Sequence, residues 1–539
     1  MGLVTFNNLA QYGVIEEVPD HSTPMNAWTT GVNVTFRDGH VQTAKGYTLV
    51  TNQSFARPQF LMPYYDPATG TLHWIAPGID ASGPDVGKIE TFDGTTSVDR
   101  TKAGNYLLST RWNGAIVNGL AVVNNQVDIP QMWGRTTGTL KDDFEDLTNW
   151  PANHTAAVLR GFRNFFICLD ITDTGNSPNR NPYEIMHSGI VDSYTAPEWA
   201  PLTTNRAGSK FIGEGGGVLV DCLPLRGVNI VYSESEAWPM SFVGGNEVFA
   251  IGDKALLEYG ILAQGCVAAF GAGSHFLVSV GDIVVHDGSN AQSIIDGKVR
   301  DSLFADIDPV NFVNSFVVSH YSEGEIWFCY PGIGNTYPNK IAKWNIKSNV
   351  WSFMVLPIET AMIRFGAVPE GVNDGFWDDD TEVWDADNSV WDEGNYNPTI
   401  KNLVMAKTAS TIAASGLLKI DDGLDFDGTA MTVTLQKTGI IVAGNGQSGP
   451  YSDPNVDKFF DQIWPRVEGN AVNIRIGTAQ FIDGPYTWTN KQSFDPATDR
   501  KLDFRPKEGY YGAIEFSSQG VEWHMDGFDL GVQATGSRG

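Results

Sequence analysis

Apolar and polar positions alternate most clearly in the last quarter of the chain. Val472, Ile474 and Ile476 share one face, as do Leu502 and Phe504, Ile514 and Phe516, and then Phe528, Leu530 and Val532. A period of two with one apolar face predicts antiparallel strands packed on one side and wet on the other. These strands, from about Ile420 onward, predict a second β domain over 406–539, whose last strand is also placed to close the structure before it.

Upstream, short apolar runs are punctuated by turn dipeptides: Asp38-Gly39, Asp93-Gly94, Asn113-Gly114, Asp287-Gly288, Asp296-Gly297, Asp427-Gly428, Asp483-Gly484 and Asp526-Gly527. Asp-Gly and Asn-Gly suit the two-residue hairpin, whose central residues both need positive φ. No long amphipathic helix is evident, so the pattern predicts an all-β, predominantly antiparallel chain.

Two stretches read as copies of one unit. TLHWIAPGID (71–80) leads to KIETFDGTTSV (88–98), and EIWFCYPGIGN (325–335) leads to KIAKWNIKSNVWSF (340–353). Each gives a tryptophan strand, a Pro-Gly-Ile exit, a variable loop and a Lys-Ile strand. HFLVSVGDIVVHDGSN (275–290) has a related hairpin form, with turns at Gly281-Asp282 and Asp287-Gly288. Hairpins repeated every few tens of residues predict propeller blades, whose strand edges are short and protected. The predicted organisation is a strand or hairpin segment over 1–55, a β-propeller over 56–365, a linker or loop over 366–405 and the C-terminal β domain. Two stacked β-sandwiches are the rival.

The segment 366–405 contains FWDDDTEVWDADNSVWDEGNY, which spaces Trp377, Trp384 and Trp391 by seven residues. Seven is close to two helical turns, but the intervening Asp, Asn, Ser and Gly favour turns over helix interiors. An odd spacing also sends successive tryptophans to opposite faces of a single strand. Short stacked rungs or a protruding acidic loop remain. Asp378, Asp380 and Glu382 match positions 1, 3 and 5 of a calcium loop, yet Val383 replaces its glycine and Ser389 its bidentate glutamate. Asp378, Asp380, Asp385 and Asp387 are therefore the candidate ligands of a metal site for which the rest of the chain gives no sign.

The length of 539 residues, 58 Gly, 27 Pro and 12% aromatics fit many short strands and turns. Four scattered cysteines, Cys168, Cys222, Cys266 and Cys329, form no CxxC, which excludes a disulfide scaffold or a cysteine zinc site as organising feature. The opening MGLVTFNNLAQYGVIEEVP lacks a basic start and an apolar run, and no window nears a membrane span, so synthesis and folding in a cytosol are expected. The glycosylation-like matches at Asn33, Asn52 and Asn153 are then chance. The formal charge of −28 opposes sequence-specific nucleic-acid binding, but suits a surface past which DNA slides without adsorbing.

Catalytic patterns are thin. GNGQSG (444–449) matches G-x-G-x-x-G, but Pro450 and Pro454 follow where a dinucleotide site needs a helix, so a surface loop is expected. The nine histidines form no H-E-x-x-H, and Ser274 lacks the frame of a nucleophile elbow, leaving His275 as a strand-end residue. Carboxylate pairs can be drawn from 63 acids in countless ways and single out none. No catalytic residue and no cofactor are expected.

The passage VPDHSTPMNAWTTGVNVTFRDGHVQTAKGY (18–47) brings together Trp28, Asn33, Phe36 and Gly39. It resembles the opening of tail nozzle (tail hub) proteins of short-tailed bacteriophages, with Thr23-Pro24 in place of their proline pair. LPLRGVNIVYSESEAWPMSFVGG (223–245), with Arg226 and Trp238, resembles their Leu-Arg-Gly turn and following Trp-Pro. GDIVVHDGSNAQSIIDGKVRDSLFADID (281–308) resembles a blade of the family through Asp282, Asp287, Gly288, Arg300 and Phe304. KWNIKSNVWSF, the Trp-Asp repeat and the C-terminal WPRVEGNAVNIRIG and GYYGAIEFSS…WHMDGFDLGV are similar to further parts of it. The resemblance implies a β-propeller subunit of a homohexameric ring at the distal end of a virion tail, below the adaptor ring on the portal. It implies a lumen that passes and gates double-stranded DNA, an outside that docks fibres or receptor-binding proteins, and no membrane span. The alternatives are a receptor-binding or carbohydrate-active protein of the virion surface, or a cellular propeller scaffold.

Overall fold

The computed structural model describes residues 2–537 except 51–56, 67, 81–84, 94–95, 110, 137, 178, 203, 214–216, 246, 253–257, 272, 368–400, 409–415, 443–455, 483 and 506–507. The regular structure of the described chain is nearly all β, with a β-propeller arrangement of six blades and further antiparallel sheets toward the C-terminus. The first strands of the blades are Met62–Tyr65 (continued from Arg57–Pro58), Asn113–Val117, His154–Phe162, Leu219–Leu225, Val267–Phe270 and Phe316–His320. Each blade then steps outward by short hairpins, as in Phe165–Asp173, Arg180–His187 and Gly208–Phe211 of the third.

The ring is closed by one more sheet. Glu359–Ala367, Lys401–Thr408, Gly416–Ile420 and the N-terminal strand Tyr47–Leu49 pair in that order. Its first strand lies against Phe316–His320 on one side and Met62–Tyr65 on the other. Closure thus draws on both ends of the chain.

Hydrophobic packing between blades explains why these segments read as unbroken apolar runs. Blades one and two share a core of Met62, Tyr64, Ile75, Trp133 and Phe144; blades two and three meet through Leu120, Val122, Leu159 and Phe166. Blades three and four meet through Ile167, Leu169, Val231 and Phe249, while Trp74 and Phe92 pack on Val404 and Leu417 of the closing sheet. A sheet covered on both faces loses the polar half of its alternation, so Phe165–Leu169 is buried at every position.

The three hairpin-like segments found in the sequence hold the second and third strands of blades one, six and five, and the first two also reach the fourth. One detail differs. Pro331-Gly332 leaves the strand Glu325–Tyr330 as expected, but Pro77-Gly78 lies inside Leu72–Asp80. A Cβ on Gly78 would stand 2.2 Å from the Arg57 carbonyl, so the glycine admits a close neighbouring strand and not a turn.

Two predicted turns are likewise strand. Asn113-Gly114 begins Asn113–Val117 because the Asn113 amide donates to the Ala157 carbonyl (2.9 Å) and accepts from the Leu159 amide (2.8 Å), tying blade two to blade three. The turn itself falls at Asn118-Gly119, both at positive φ. Asp526-Gly527 lies within Trp523–Ser537, beside an irregularity in pairing at Arg466/Val467. Asp38-Gly39, with φ of 48° and 89°, and Asp427-Gly428, with 52° and 81°, are hairpin turns as predicted. Gly94, Asp483 and the loop 444–449 lie outside the described residues.

Beyond blade six the sheet continues. Val350–Val355 pairs in parallel with Thr30–Val32, which pairs with Thr432–Ile440, then Tyr511–Gln519 and Val472–Ala479. A second sheet joins Val34–Arg37, His40–Thr43, Trp523–Ser537 and Val456–Gly469, with Gly2–Asn7 on Trp523–Ser537. Val472, Ile474, Ile476, Ile514, Phe516, Phe528, Leu530 and Val532 are all buried in one cluster, where Phe6 stacks on Phe528 at 4.3 Å. The segment 1–55 accordingly contributes to three sheets.

Candidate functional site

The first strands of the blades pack side by side around the propeller axis, and the segments leading into them, with the closing sheet, line a half-open cavity of about 40 Å³. Its wall includes Phe60, Arg111, Trp112, Arg160, Gln264, Ser315, Tyr337 and Arg364. Three of these are arginines, in a chain whose overall charge is −28. Arg111 donates to the Val313 carbonyl at 2.9 Å, and Arg364 lies 5.6 Å over the ring of Phe60.

One buried carboxylate answers them. Asp221, on the first strand of blade four, accepts from Arg160 Nε at 2.8 Å and Nη2 at 3.0 Å, and from the amides of Cys222 and Gly265 at 2.8 Å. This two-pronged pair fixes blade three to blade four and to the entry of blade five. Asp221 also acts at longer range on Arg111 and Arg364, but its hydrogen-bonding capacity is spent on Arg160 and the backbone. Burial, with Arg160 adding repulsion, pushes Arg364 down to about 10, and burial lowers Arg111 as well. Both remain cations at neutral pH.

Nothing in the sequence marked this hub. Arg111, Arg160 and Arg364 belong to no motif, and only the return of the chain to the axis at each blade brings them together.

The residues that carried the family resemblance fall elsewhere. Trp28 is buried, donates to the Leu9 carbonyl at 2.9 Å and meets Phe516 edge-on. Asn33, at φ 58°, donates from Nδ2 to the Thr432 carbonyl (2.7 Å) and accepts at Oδ1 from the Val355 amide (3.0 Å). Phe36 is buried and Gly39 turns the hairpin that follows. Arg226, at φ 49°, forms a tight turn with Gly227 and lies over Gly273 of the next blade; Trp238 is half-buried in Ala237–Phe242.

Asp282 and Arg300 are brought together at 3.0 Å, with Ser293 donating to the same carboxylate oxygen at 2.7 Å. Arg300 opens the helix Arg300–Asp306, from which Phe304 packs on the core. Asp287 accepts from the amides of Ser289 and Asn290 in a turn with Gly288. These are architectural roles. Trp377, Trp384, Trp391, Asp378, Asp380, Asp385 and Asp387 lie outside the described residues. Among the described residues, no three His, Cys, Asp or Glu side chains are grouped as metal ligands, and no helix is long and apolar enough to cross a membrane. All four cysteines are buried and unpaired.

One cluster has the order of a nucleophile relay. Ser322 Oγ lies 3.3 Å from His320 Nδ1, whose Nε2 lies 3.1 Å from Asp421. Ser322 and His320 are two residues apart at one hairpin end, and Asp421 also faces Lys343 at 4.0 Å, which sits 3.9 Å over Trp327. Burial raises Asp421, but the His320 hydrogen bond and the Lys343 charge more than offset it and hold the carboxyl at about 2. The cluster ties blade six to the closing sheet.

No protein-family model and no curated protein matches the chain. Solved structures resemble it weakly. A putative 6-phosphogluconolactonase of Bacteroides fragilis shares 9% identity at a TM-score of 0.34, over 55% of this chain and 85% of its own. A puromycin-hydrolyzing peptidase of Mycobacterium tuberculosis shares 11% at 0.36, over 73% and 61%, and apo AztD of Citrobacter koseri 11% at 0.32, over 61% and 93%.

Proposed function

We propose that this chain is a structural virion protein, the subunit of a homohexameric nozzle at the distal end of a short phage tail. It sits below the head-to-tail adaptor ring, conducts and gates double-stranded DNA, docks fibres or receptor-binding proteins, and performs no catalysis. The observation that carries the reading is the placement of Asn33. The motif that resembles nozzle proteins is a single weld, in which one side chain binds the outer strand of blade six through Val355 and the C-terminal sheet through Thr432. A conduit subunit under the load of genome ejection needs its modules joined rigidly, and two bonds from one buried amide supply such a joint.

The acidic balance supports the same reading, because a passage for a polyanion works best when its surface does not adsorb it. The Trp-Asp repeat enters as a contact element for a neighbouring subunit or fibre. The deciding measurement is the mass and symmetry of the purified chain, alone and on adaptor-bearing portal particles, by native mass spectrometry and negative-stain class averages. A six-fold ring with a central hole is the expected result. A stable trimer that binds or cleaves glycans would overturn the proposal in favour of a receptor-binding protein.

A further inference from the structure

Among the described residues, the propeller hub holds more positive charge and more hydrogen-bond donors than are answered by acceptors. Its cavity wall carries Arg111, Arg160 and Arg364, and the carboxylate placed among them, Asp221, is taken by Arg160 in two bonds. Counting these side chains leaves two cationic charges over. Independently, three polar atoms of the same wall have no hydrogen-bond partner among the described residues: Trp112 Nε1, Gln264 Nε2 and Ser315 Oγ. Trp112 and Ser315 are 4% and 1% exposed. Buried donor atoms without partners cost free energy, and half-buried cations without a close counter-charge add to it, so both features at one cavity call for an acceptor-rich anion.

The size of the cavity narrows the class. About 40 Å³ is room for roughly three water-sized positions. That matches one tetrahedral oxyanion. Guanidinium forks from blade two and the closing sheet, an indole N–H, a carboxamide N–H and a hydroxyl are the donors that such an ion accepts from.

We infer that the propeller hub is a binding site for a small oxyanion of the phosphate or sulfate type, gripped by Arg111, Arg364, Trp112, Gln264 and Ser315. The ion is not a substrate. It completes the axis, joining blade two through Arg111 and Trp112, the approach to blades five and six through Gln264 and Ser315, and the closing sheet through Arg364. Ring closure and anion binding are thereby coupled, and the ion stabilises the folded state by mass action.

The test is titration of the full chain with inorganic phosphate, and separately with sulfate, at ionic strength held constant with gluconate, read by calorimetry and by thermal midpoint. The expected result is saturable binding of one ion per chain, with a midpoint that climbs with ligand concentration. Arg364→Met and Arg111→Gln should each weaken binding about tenfold or more, Trp112→Phe by several-fold, and Arg505→Gln, at an exposed position, not at all. Trp112→Phe keeps an aromatic ring while removing the donor and part of the indole, so its loss of binding is read beside its ligand-free thermal midpoint, and it reports even if an arginine variant fails to fold. Absence of saturable binding up to about 10 mM, where the binding free energy is under about 3 kcal/mol, would overturn the inference. Binding that survives both Arg111→Gln and Trp112→Phe unchanged would overturn it equally, by placing the ion elsewhere.

Discussion

The phenol oxygen of Tyr232, on blade four, lies 2.7 Å from Nδ1 of His275 on blade five, and 2.8 Å from Nε2 of His286 on the same blade. The proton order is determined by the far end of the chain of bonds. His275 Nε2 lies 2.9 Å from the Pro224 carbonyl and must donate to it, so Nδ1 accepts from Tyr232. Tyr232 then accepts from His286 Nε2–H, and His286 Nδ1 is an acceptor without a partner among the described residues. Both imidazoles are neutral in this arrangement.

Acid should therefore loosen the joint between blades four and five. Burial holds His275 and His286 each down to about 4, with His275 also depressing His286 and Asp287 opposing. An unfolded histidine titrates near 6.5, so between about 6.5 and 4 the unfolded chain binds more protons and stability falls as pH falls. The loss is on the order of 3 kcal/mol for the first histidine, complete below the folded value. Thermal midpoints from pH 7 to 4 should show this slope, and His286→Gln should flatten it. A profile unchanged by His286→Gln would refute the assignment.

Asn33 should be the costliest polar residue of the N-terminal segment. Ala at this position strands the Thr432 carbonyl and the Val355 amide and places a Cβ residue at φ 58° without side-chain support. We expect Asn33→Ala to lose about 3 kcal/mol, and Asn33→Gly about 1 kcal/mol less, because glycine tolerates the backbone. Urea unfolding measures the loss. Hydrogen exchange should report it in Val350–Val355 and Thr432–Ile440 together, and protection lost in one strand alone would contradict the joint.

How much of this was written in the sequence depends on how many faces each sheet covers. Val472, Ile474 and Ile476 alternate with Asn473 and Arg475 because that strand has one wet side, so both strand and core were legible. Phe165–Leu169 is covered on both sides, and the same physics erases its alternation. Asp38-Gly39 was readable because only a positive-φ turn uses that pair so readily, whereas Asn113-Gly114 was not, since its side-chain bonds reach the neighbouring blade. The described motif residues sit in turns, ion pairs and packed strands, and the arginine hub was invisible. Arg111 and Arg364 are 253 positions apart. Such a cluster has no linear signature, because topology alone assembles it.

Asp282 and Arg300 make a smaller claim testable. Their pair at 3.0 Å is partly open to solvent, with 14% and 31% side-chain exposure, and Arg300 also reaches Asp296 at 3.0 Å. Exposure and a competing partner limit such pairs, so a double-mutant cycle with Asp282→Asn and Arg300→Met should give a coupling of about 1 kcal/mol or less, shrinking in 1 M salt. A coupling above about 3 kcal/mol, independent of salt, would instead mark a buried pair.

The acidic Trp-Asp segment should be dispensable for folding. Ala367 and Lys401, which bracket residues 368–400, are paired partners at the ends of Glu359–Ala367 and Lys401–Thr408. A short Asn-Gly turn can bridge them, and shortening the connection from 33 residues recovers loop-closure entropy worth about 2 kcal/mol. The excised protein should be soluble with a thermal midpoint equal to or above that of the full chain. Loss of folding would show that the segment packs on the propeller. With folding intact, infectivity of particles carrying the excision, or Trp377, Trp384 and Trp391 changed to Ser, isolates the contact role. On the nozzle function proposed above, reduced fibre attachment on complete rings is the expected outcome, and unchanged attachment and infectivity would remove the repeat from the proposed docking surface while leaving the propeller and its hub untouched.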